Sequence, residues 1–280
     1  MLKPMSKFGH YLVESQVGVG SVGTVYRAHR VDDKQPVALK VLNIHHSGDQ
    51  SLITMFREEA EVGLQLSHPN IVRTLDVGYE QDRYYIVFEY VVGTPLGEIL
   101  ERGKLPESQC IWILRQVGQA LRQLNEKKIV HQDIKPDNLL IEKNGNVKLS
   151  DLGFARVPKG KMKWEGLAVG TPHYISPEVA RGQEQVDCRA DIYSLGATIY
   201  HAATGRPPFE ADEEVDVLKA HVYQRLITPR VYNPDLSAEF CYVLCRMLEK
   251  DPRQRYQKPE EMLLALRSLG VKAEPVVNGK

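Results

Sequence analysis

Between residues 10 and 92 apolar side chains recur at every second position in short β-branched runs: Tyr11–Val17, Gly23–His29, Val37–Leu42, Ile71–Gly78 and Tyr84–Tyr90. That period, with Gly and Asp turns between the runs, predicts five strands. The spacing lengthens to that of a helix only at Ser51 to Leu66. At about 100° per residue, Leu52, Met55, Phe56, Ala60, Val62 and Leu66 share one stripe there. Glu59 falls near its middle and Glu61 on the far side. Beyond Gly93 helical patterns dominate, at Ser108–Glu126, Ala190–Thr204 and Ala238–Glu249, with short strands around 139–149. The expected fold is α+β: a small five-stranded antiparallel β lobe with one main helix, and a larger, mainly helical lobe. Gly93, Pro95 and Gly97 punctuate the join, and ligand sites favour clefts at such joins. The boundaries read 1–88 for the small lobe, 89–97 for the hinge, 98–270 for the large lobe and 271–280 for a loose tail.

Composition narrows this without changing it. Of 280 residues, 42% are hydrophobic and 26% charged, and Lys+Arg and Asp+Glu each number 36. Such a chain builds globular cores and has no overall bias toward nucleic acid or an anionic membrane. Its apolar stretches fall short of the roughly 20 residues that cross a bilayer, and Tyr84–Val92 is broken by Glu89. Basic residues at Met1–Lys7 precede no apolar signal core, so a cytoplasmic location is expected. Cys241 and Cys245 lie one helical turn apart without a second pair at ligand spacing, and read as buried thiols.

Four motifs carry candidate chemistry. Gly18-Val19-Gly20-Ser21-Val22-Gly23-Thr24-Val25 is a glycine-rich turn between two strands. Glycines let backbone amides approach phosphate oxygens, but alone the pattern is equally a plain hairpin. In Val37-Ala38-Leu39-Lys40 the strand period puts Ala38 and Lys40 on one face. A carboxylate on the core stripe of the helix, Glu59, needs a cation, and Lys40 is the candidate. The segment Val130-His131-Gln132-Asp133-Ile134-Lys135-Pro136-Asp137-Asn138-Leu139-Leu140 combines a candidate base, a cation and an amide ligand. Asp151-Leu152-Gly153 then ends the strand Asn146–Ser150 in a carboxylate. Asn138 and Asp151 are hard oxygen donors of the kind magnesium takes together with phosphates.

In this order and spacing the motifs resemble the eukaryotic-like protein kinase family over residues 10–270, with Ser/Thr-directed members of bacterial type the most similar. The resemblance implies ATP and Mg as cofactors and protein Ser/Thr hydroxyls as acceptors. Asp133 would then be the base and Lys135 would neutralise the transferred group. Lys40, paired with Glu59, would hold the phosphates under Gly18, Gly20 and Gly23, and Asn138 and Asp151 would hold the metal. Val25, Ala38 and Leu140 would sandwich adenine beside Phe88, with backbone contacts from Glu89 and Val91. Glu178, in Gly170-Thr171-Pro172-His173-Tyr174-Ile175-Ser176-Pro177-Glu178, would pair with Arg255, and Asp191 would brace the catalytic loop. Protein partners are implied, with no nucleic acid and no membrane contact by this segment. The resemblance to bacterial members, many of which continue into a membrane span and some of which pair through their small lobes, further implies a membrane-anchored full-length protein and a small-lobe homodimer as candidate arrangements.

Gln132 stands where most of the family has arginine, and residues 154–169 contain no hydroxyl side chain. A phosphorylation switch in that loop is therefore not expected. The competing readings are a catalytically dead scaffold, disfavoured because Lys40, Glu59, Asp133, Asn138 and Asp151 are all present, and a small-molecule phosphotransferase, disfavoured by the 170–178 segment.

Overall fold

A computed structural model describes residues 2–20, 22–43, 49–152, 172–183 and 185–276. They divide into two compact units, one running to Val92 and taking in Leu152, the other comprising Gly93–Asp151 and the described residues from Pro172 onward.

The first unit is an antiparallel sheet, β1 (Lys7–Phe8), β2 (Tyr11–Val19), β3 (Gly23–Arg30), β4 (Pro36–Leu42), β5 (Thr74–Glu80) and β6 (Arg83–Glu89), in the order β1-β2-β3-β4-β6-β5. It has six strands where five were expected. The additional β1 is two residues long, too short to show a period, and pairs with β2 around Gly9. Strand alternation governs β4: Val37, Leu39 and Val41 are buried in a cluster with Phe8, Tyr11, Val13, Tyr26 and Val87. Ala38 and Lys40 face the other way, toward the side covered by helix α1 (Gln50–Leu64). α1 starts where the Asp49 side chain accepts from the amides of Ser51 and Leu52, an N-cap.

The buried stripe of α1 is Ile53, Phe56, Glu59, Ala60, Val62 and Gly63, while Leu52 and Met55 are only half-buried. The expected stripe was therefore out of phase at its start. The cause is at Gly63, where a Cβ would overlap Thr74 Oγ1, so the helix lies against β5 along its glycine. β5 itself begins at Thr74 rather than Ile71, because Ile71 closes a turn onto His68 O and Ile71 and Val72 are buried outside a strand.

The second unit holds β7 (Gly93–Pro95), α2 (Leu96–Leu100), α3 (Glu107–Glu126), β8 (Leu139–Glu142), β9 (Val147–Leu149), α4 (Pro177–Ala180), α5 (Cys188–Thr204), α6 (Glu214–Tyr223), α7 (Ala238–Met247) and α8 (Pro259–Ser268). β7, β8 and β9 form a small antiparallel sheet. α5 is buried on all sides from Ala190 to Thr204 apart from His201, as its uniformly apolar sequence requires. It starts at the Asp187 side chain and stops at Gly205, whose φ of 83° is the left-handed C-cap conformation. Cys110 and Cys241 are buried, whereas Cys188 and Cys245 are only partly so, which corrects the reading of Cys241 and Cys245 as two buried thiols. Among the described residues no helix is long and apolar enough to cross a membrane.

Residues 271–276 are not loose. Val276 is 2% exposed, the Glu274 amide donates to Ser108 O (3.2 Å), and Ser108 Oγ donates to Glu274 Oε2 (3.3 Å). Pro275 lies where a Cβ on Gly145 would be, and Gly145 has φ 81°. Gly145 O also accepts from Trp112 Nε1 (2.7 Å) and Gln116 Nε2 (3.1 Å). The segment thus straps the β8–β9 turn to α3. No apolar period marks six extended residues, so this packing had no signature in the sequence.

A chain ending at residue 270 should lose about 2 kcal/mol, the worth of one buried valine, and melt roughly 4–8 °C lower; an unchanged Tm by calorimetry would contradict the strap. His221 is buried, with Tyr193 Oη 2.9 Å from its Nδ1, and the Lys250 ammonium donates to its carbonyl. Burial, helped by Lys250, pushes the imidazole down to about 3. The fold holds it neutral, so its contribution is present above the ordinary histidine value of about 6.5 and is lost as pH falls toward 3. His221→Gln should flatten the loss of stability over that window, as measured by urea melts.

Candidate active site

Each unit presents a cluster of the expected residues. In the first, β4 places Lys40 on the face that α1 covers, and α1 places Glu59 on its buried side. Lys40 Nζ donates to Glu59 Oε1 (2.7 Å) and Oε2 (2.8 Å), with the side chains 14% and 3% exposed. A carboxylate so buried is stable only when paired, because an uncompensated charge there costs several kcal/mol. Val25 lies opposite Lys40, and Ala38 opposite Phe88, so these four share one sheet face. Glu89 is fixed by a reciprocal pair of bonds to Arg73, its amide donating to Arg73 O and its Oε1 accepting from Arg73 N. Val91 is half-buried just beyond β6.

The three glycines of the turn differ in what surrounds them. A Cβ on Gly23 would sit 2.9 Å from Val41 O, so this glycine is demanded by the close approach of β3 to β4. A Cβ on Gly18 would meet nothing within 4 Å, and one on Gly20 only Gly23 O at 3.3 Å. Packing within the protein leaves space at Gly18, as a strand end approached by a ligand needs, whereas at Gly20 the Gly23 carbonyl already crowds the position of a Cβ. Asn43, to which the sequence pattern assigned no role, donates from its amide to Val22 O (3.0 Å) and from Nδ2 to Gly20 O (3.3 Å). Its Oδ1 accepts from Thr24 Oγ1 (2.8 Å).

In the second unit the loop 131–138 hangs from α5. Asp191, 1% exposed, accepts from the amides of His131 (2.8 Å) and Gln132 (2.9 Å). Burial pushes its carboxyl up to about 7 against the pull of those two donors. Held in this way, Gln132 takes φ 67°, a left-handed kink that turns the chain into Asp133. The Asp133 carboxylate accepts from Lys135 Nζ (3.0 and 2.9 Å) and from Asn138 Nδ2 (2.8 Å), which also reaches Asp133 O (2.8 Å). His131 supports the loop from behind: its Nδ1 accepts from the Asp133 amide (3.3 Å), and burial lowers its pKa. With Nδ2 engaged on Asp133, Oδ1 is the atom of Asn138 suited to a cation. Ser150 donates from N and Oγ to Asn138 O (2.9 and 3.2 Å), tying the end of β9 to the loop, and Asp151 follows at φ 61°. Leu140 is half-buried on β8, opposite Lys148 and Pro95.

One further expected contact is present, together with one that was not expected. Arg255 Nη1 and Nη2 reach Glu178 Oε1 and Oε2 at 2.7 and 2.8 Å, a bidentate buried pair, and the Arg255 guanidinium lies over the Tyr193 ring. Gly153 and the segment from Phe154 to Thr171, with the hydroxyl-free stretch and Gly170-Thr171, lie outside the described residues.

A family model described as protein kinase domain matches residues 11–264, and the chain belongs to that family. It is 35% identical over 256 residues to the serine/threonine-protein kinase PrkC of Bacillus subtilis, covering 91% of this chain and 39% of that protein. It is 36% identical over 270 residues to PknB of Mycobacterium tuberculosis, covering 94% and 43%. The crystal structure of the M. tuberculosis PknI kinase domain superposes with a TM-score of 0.77 at 26% identity, over 96% of this chain and 98% of that one. The chain thus spans 39–43% of the length of these two curated relatives.

Because Lys40 and Glu59 act as one buried pair, Lys40→Met and Glu59→Gln should each remove most of the pair's effect. The expected result is a double variant whose kcat/KM is little worse than that of the poorer single variant. Losses that multiply would show the two residues acting independently.

Proposed function

We propose that this chain is a protein serine/threonine kinase domain that transfers the γ-phosphoryl group of ATP to Ser or Thr hydroxyls of proteins, with Asp133 as the base. The observation that carries the reading is the Asp133 cluster: a carboxylate held by Lys135 and Asn138 in a kinked loop suspended from a buried aspartate. Such rigidity suits phosphoryl transfer, where catalysis is mainly positioning and electrostatics. In this reading Asp133 accepts the proton of the acceptor hydroxyl and Lys135 offsets charge on the group in transfer. Lys40, oriented by Glu59, binds the α- and β-phosphates, and the amides around Gly18, Gly20 and Gly23 cover them. Val25, Ala38 and Leu140 hold the adenine, Phe88 limits its depth, and the backbone of Glu89 and Val91 bonds its edge.

The donor set fits Mg: Asn138 Oδ1 and the Asp151 carboxylate are hard oxygens, and one or two protein ligands completed by phosphates are what this ion takes. When bound, it offsets charge on the β- and γ-phosphates. The likeness to bacterial proteins named serine/threonine-protein kinases supports protein acceptors, and we assign the reaction to the cytoplasm.

Control is the second part of the proposal. The Gln132 side chain is neutral, and its Oε1 is buried without a hydrogen-bond partner among the described residues. It offers no charge with which to grip a phosphate, unlike the arginine usual there, and 154–169 contains no hydroxyl to carry one. Activity therefore needs no phosphate in that segment.

Asp133→Asn should lower kcat by roughly 10²–10⁴, the range for a general base, with nucleotide affinity unchanged. Transfer to a protein acceptor at the wild-type rate would remove Asp133 from the role. Protein made with a co-expressed phosphatase, and shown by intact mass to carry no phosphate, should give a linear progress curve from the first minutes. A lag that shortens with enzyme concentration would reveal trans-autophosphorylation and contradict the proposed control.

A further inference from the structure

Asn43 is the first residue past β4, three positions beyond Lys40, and it engages the glycine turn at three points. Its backbone amide donates to Val22 O, its Nδ2 to Gly20 O, and its Oδ1 accepts from Thr24 Oγ1. Gly20 lies on the entering limb of the turn, Val22 in the turn, and Thr24 on the departing limb, in register with Val19. One short side chain therefore closes both limbs and ties them to the strand that carries Lys40. Thr24 is 5% exposed, and a hydroxyl on so buried a residue needs its partner. The turn also closes on itself, through Gly20 N to Gly23 O at 2.9 Å. The open space at Gly18 lies on the limb that enters this turn, and a Cβ at Gly20 would crowd the Gly23 carbonyl that closes it.

We infer that Asn43 is a positioning residue, paired with Thr24, which holds the glycine turn in one arrangement before nucleotide arrives. A glycine-rich turn is free to adopt many conformations, and ordering it on binding subtracts from affinity. A turn already fastened to β4 keeps its amides at a fixed height above Lys40 and avoids that loss. The inference rests on the reading that this turn covers the phosphates of ATP.

The expected signature is a split between binding and turnover. Asn43→Leu and Thr24→Val, both close in size to the residues they replace, should weaken binding of a non-hydrolysable ATP analogue about five- to tenfold. That is the worth of one or two hydrogen bonds. They should raise KM for ATP to match and change kcat by less than about twofold. Thr24→Ser, which keeps the hydroxyl, should bind like wild type, and the double variant should be no weaker than the weaker single one. Unchanged affinity in both single variants, or a loss confined to kcat, would overturn the inference. Failure of the wild-type protein to bind the analogue would overturn the nucleotide reading instead. Hydrogen exchange then still decides on Asn43: faster exchange at the Gly20, Val22 and Thr24 amides in Asn43→Leu supports the lock, and unchanged rates remove it.

Discussion

A single buried carboxylate organises the second unit. Asp191 sits in the first turn of α5, the most enclosed helix among the described residues, where the helix dipole favours negative charge, and it accepts from two consecutive amides, His131 and Gln132. The residue carrying the second of these amides, Gln132, takes φ 67°, which turns the chain at the anchor. Asp133, Lys135 and Asn138 then point into one another rather than along an extended strand. Water competes poorly for a carboxylate that is 1% exposed, so the anchor is rigid, and burial raises its pKa at the same time. Nearby, Arg255 donates to Glu178, to Arg189 O at the start of α5 and to Glu249 O. The end of α5 that bears Asp191 is therefore itself held by a second buried charge. Removing either member of the Arg255–Glu178 pair leaves the other uncompensated, a loss of about 3–5 kcal/mol.

The first unit solves the corresponding problem with a strand. Period-2 alternation sends Val37, Leu39 and Val41 into the apolar cluster and leaves Ala38 and Lys40 on the opposite face. The placement of Lys40 is thus a by-product of core packing, and Glu59 meets it because α1 is pinned to β5 through Gly63. Asn43 extends the same logic along the chain, since the strand that carries Lys40 is followed directly by a residue hydrogen-bonded to the glycine turn.

Much of this was legible because it rests on periodicity or on charge in an apolar setting. The alternation of β4 and a carboxylate on an otherwise apolar stripe were enough to propose the Lys40–Glu59 pair. The Asp191 anchor and the Glu178–Arg255 pair came only through family resemblance, since no local pattern joins residues so distant in sequence. What escaped had no period. β1 is two residues long, Ile71 and Val72 are apolar yet lie before their strand, and the 271–276 strap is extended. The phase of α1 was misjudged at its first turn because hydrophobicity favoured Leu52 and Met55, whereas a glycine, silent on any hydropathy scale, selects the packing face. Asn43 carried no assigned role, because its contacts are with one hydroxyl and two carbonyls about twenty positions away.

The dependence of the 131–138 loop on Asp191, and with it the proposed role of Asp133, is open to one direct measurement, kcat for transfer from ATP to a protein acceptor by Asp191→Asn. An amide of the same shape presents one acceptor and one donor to two N–H groups, so one bond is lost and the kink at Gln132 relaxes. The account predicts a fall in kcat of about 10²-fold or more, approaching that expected for loss of the base itself, in a protein that remains folded by circular dichroism. A folded Asp191→Asn protein with undiminished kcat would contradict it.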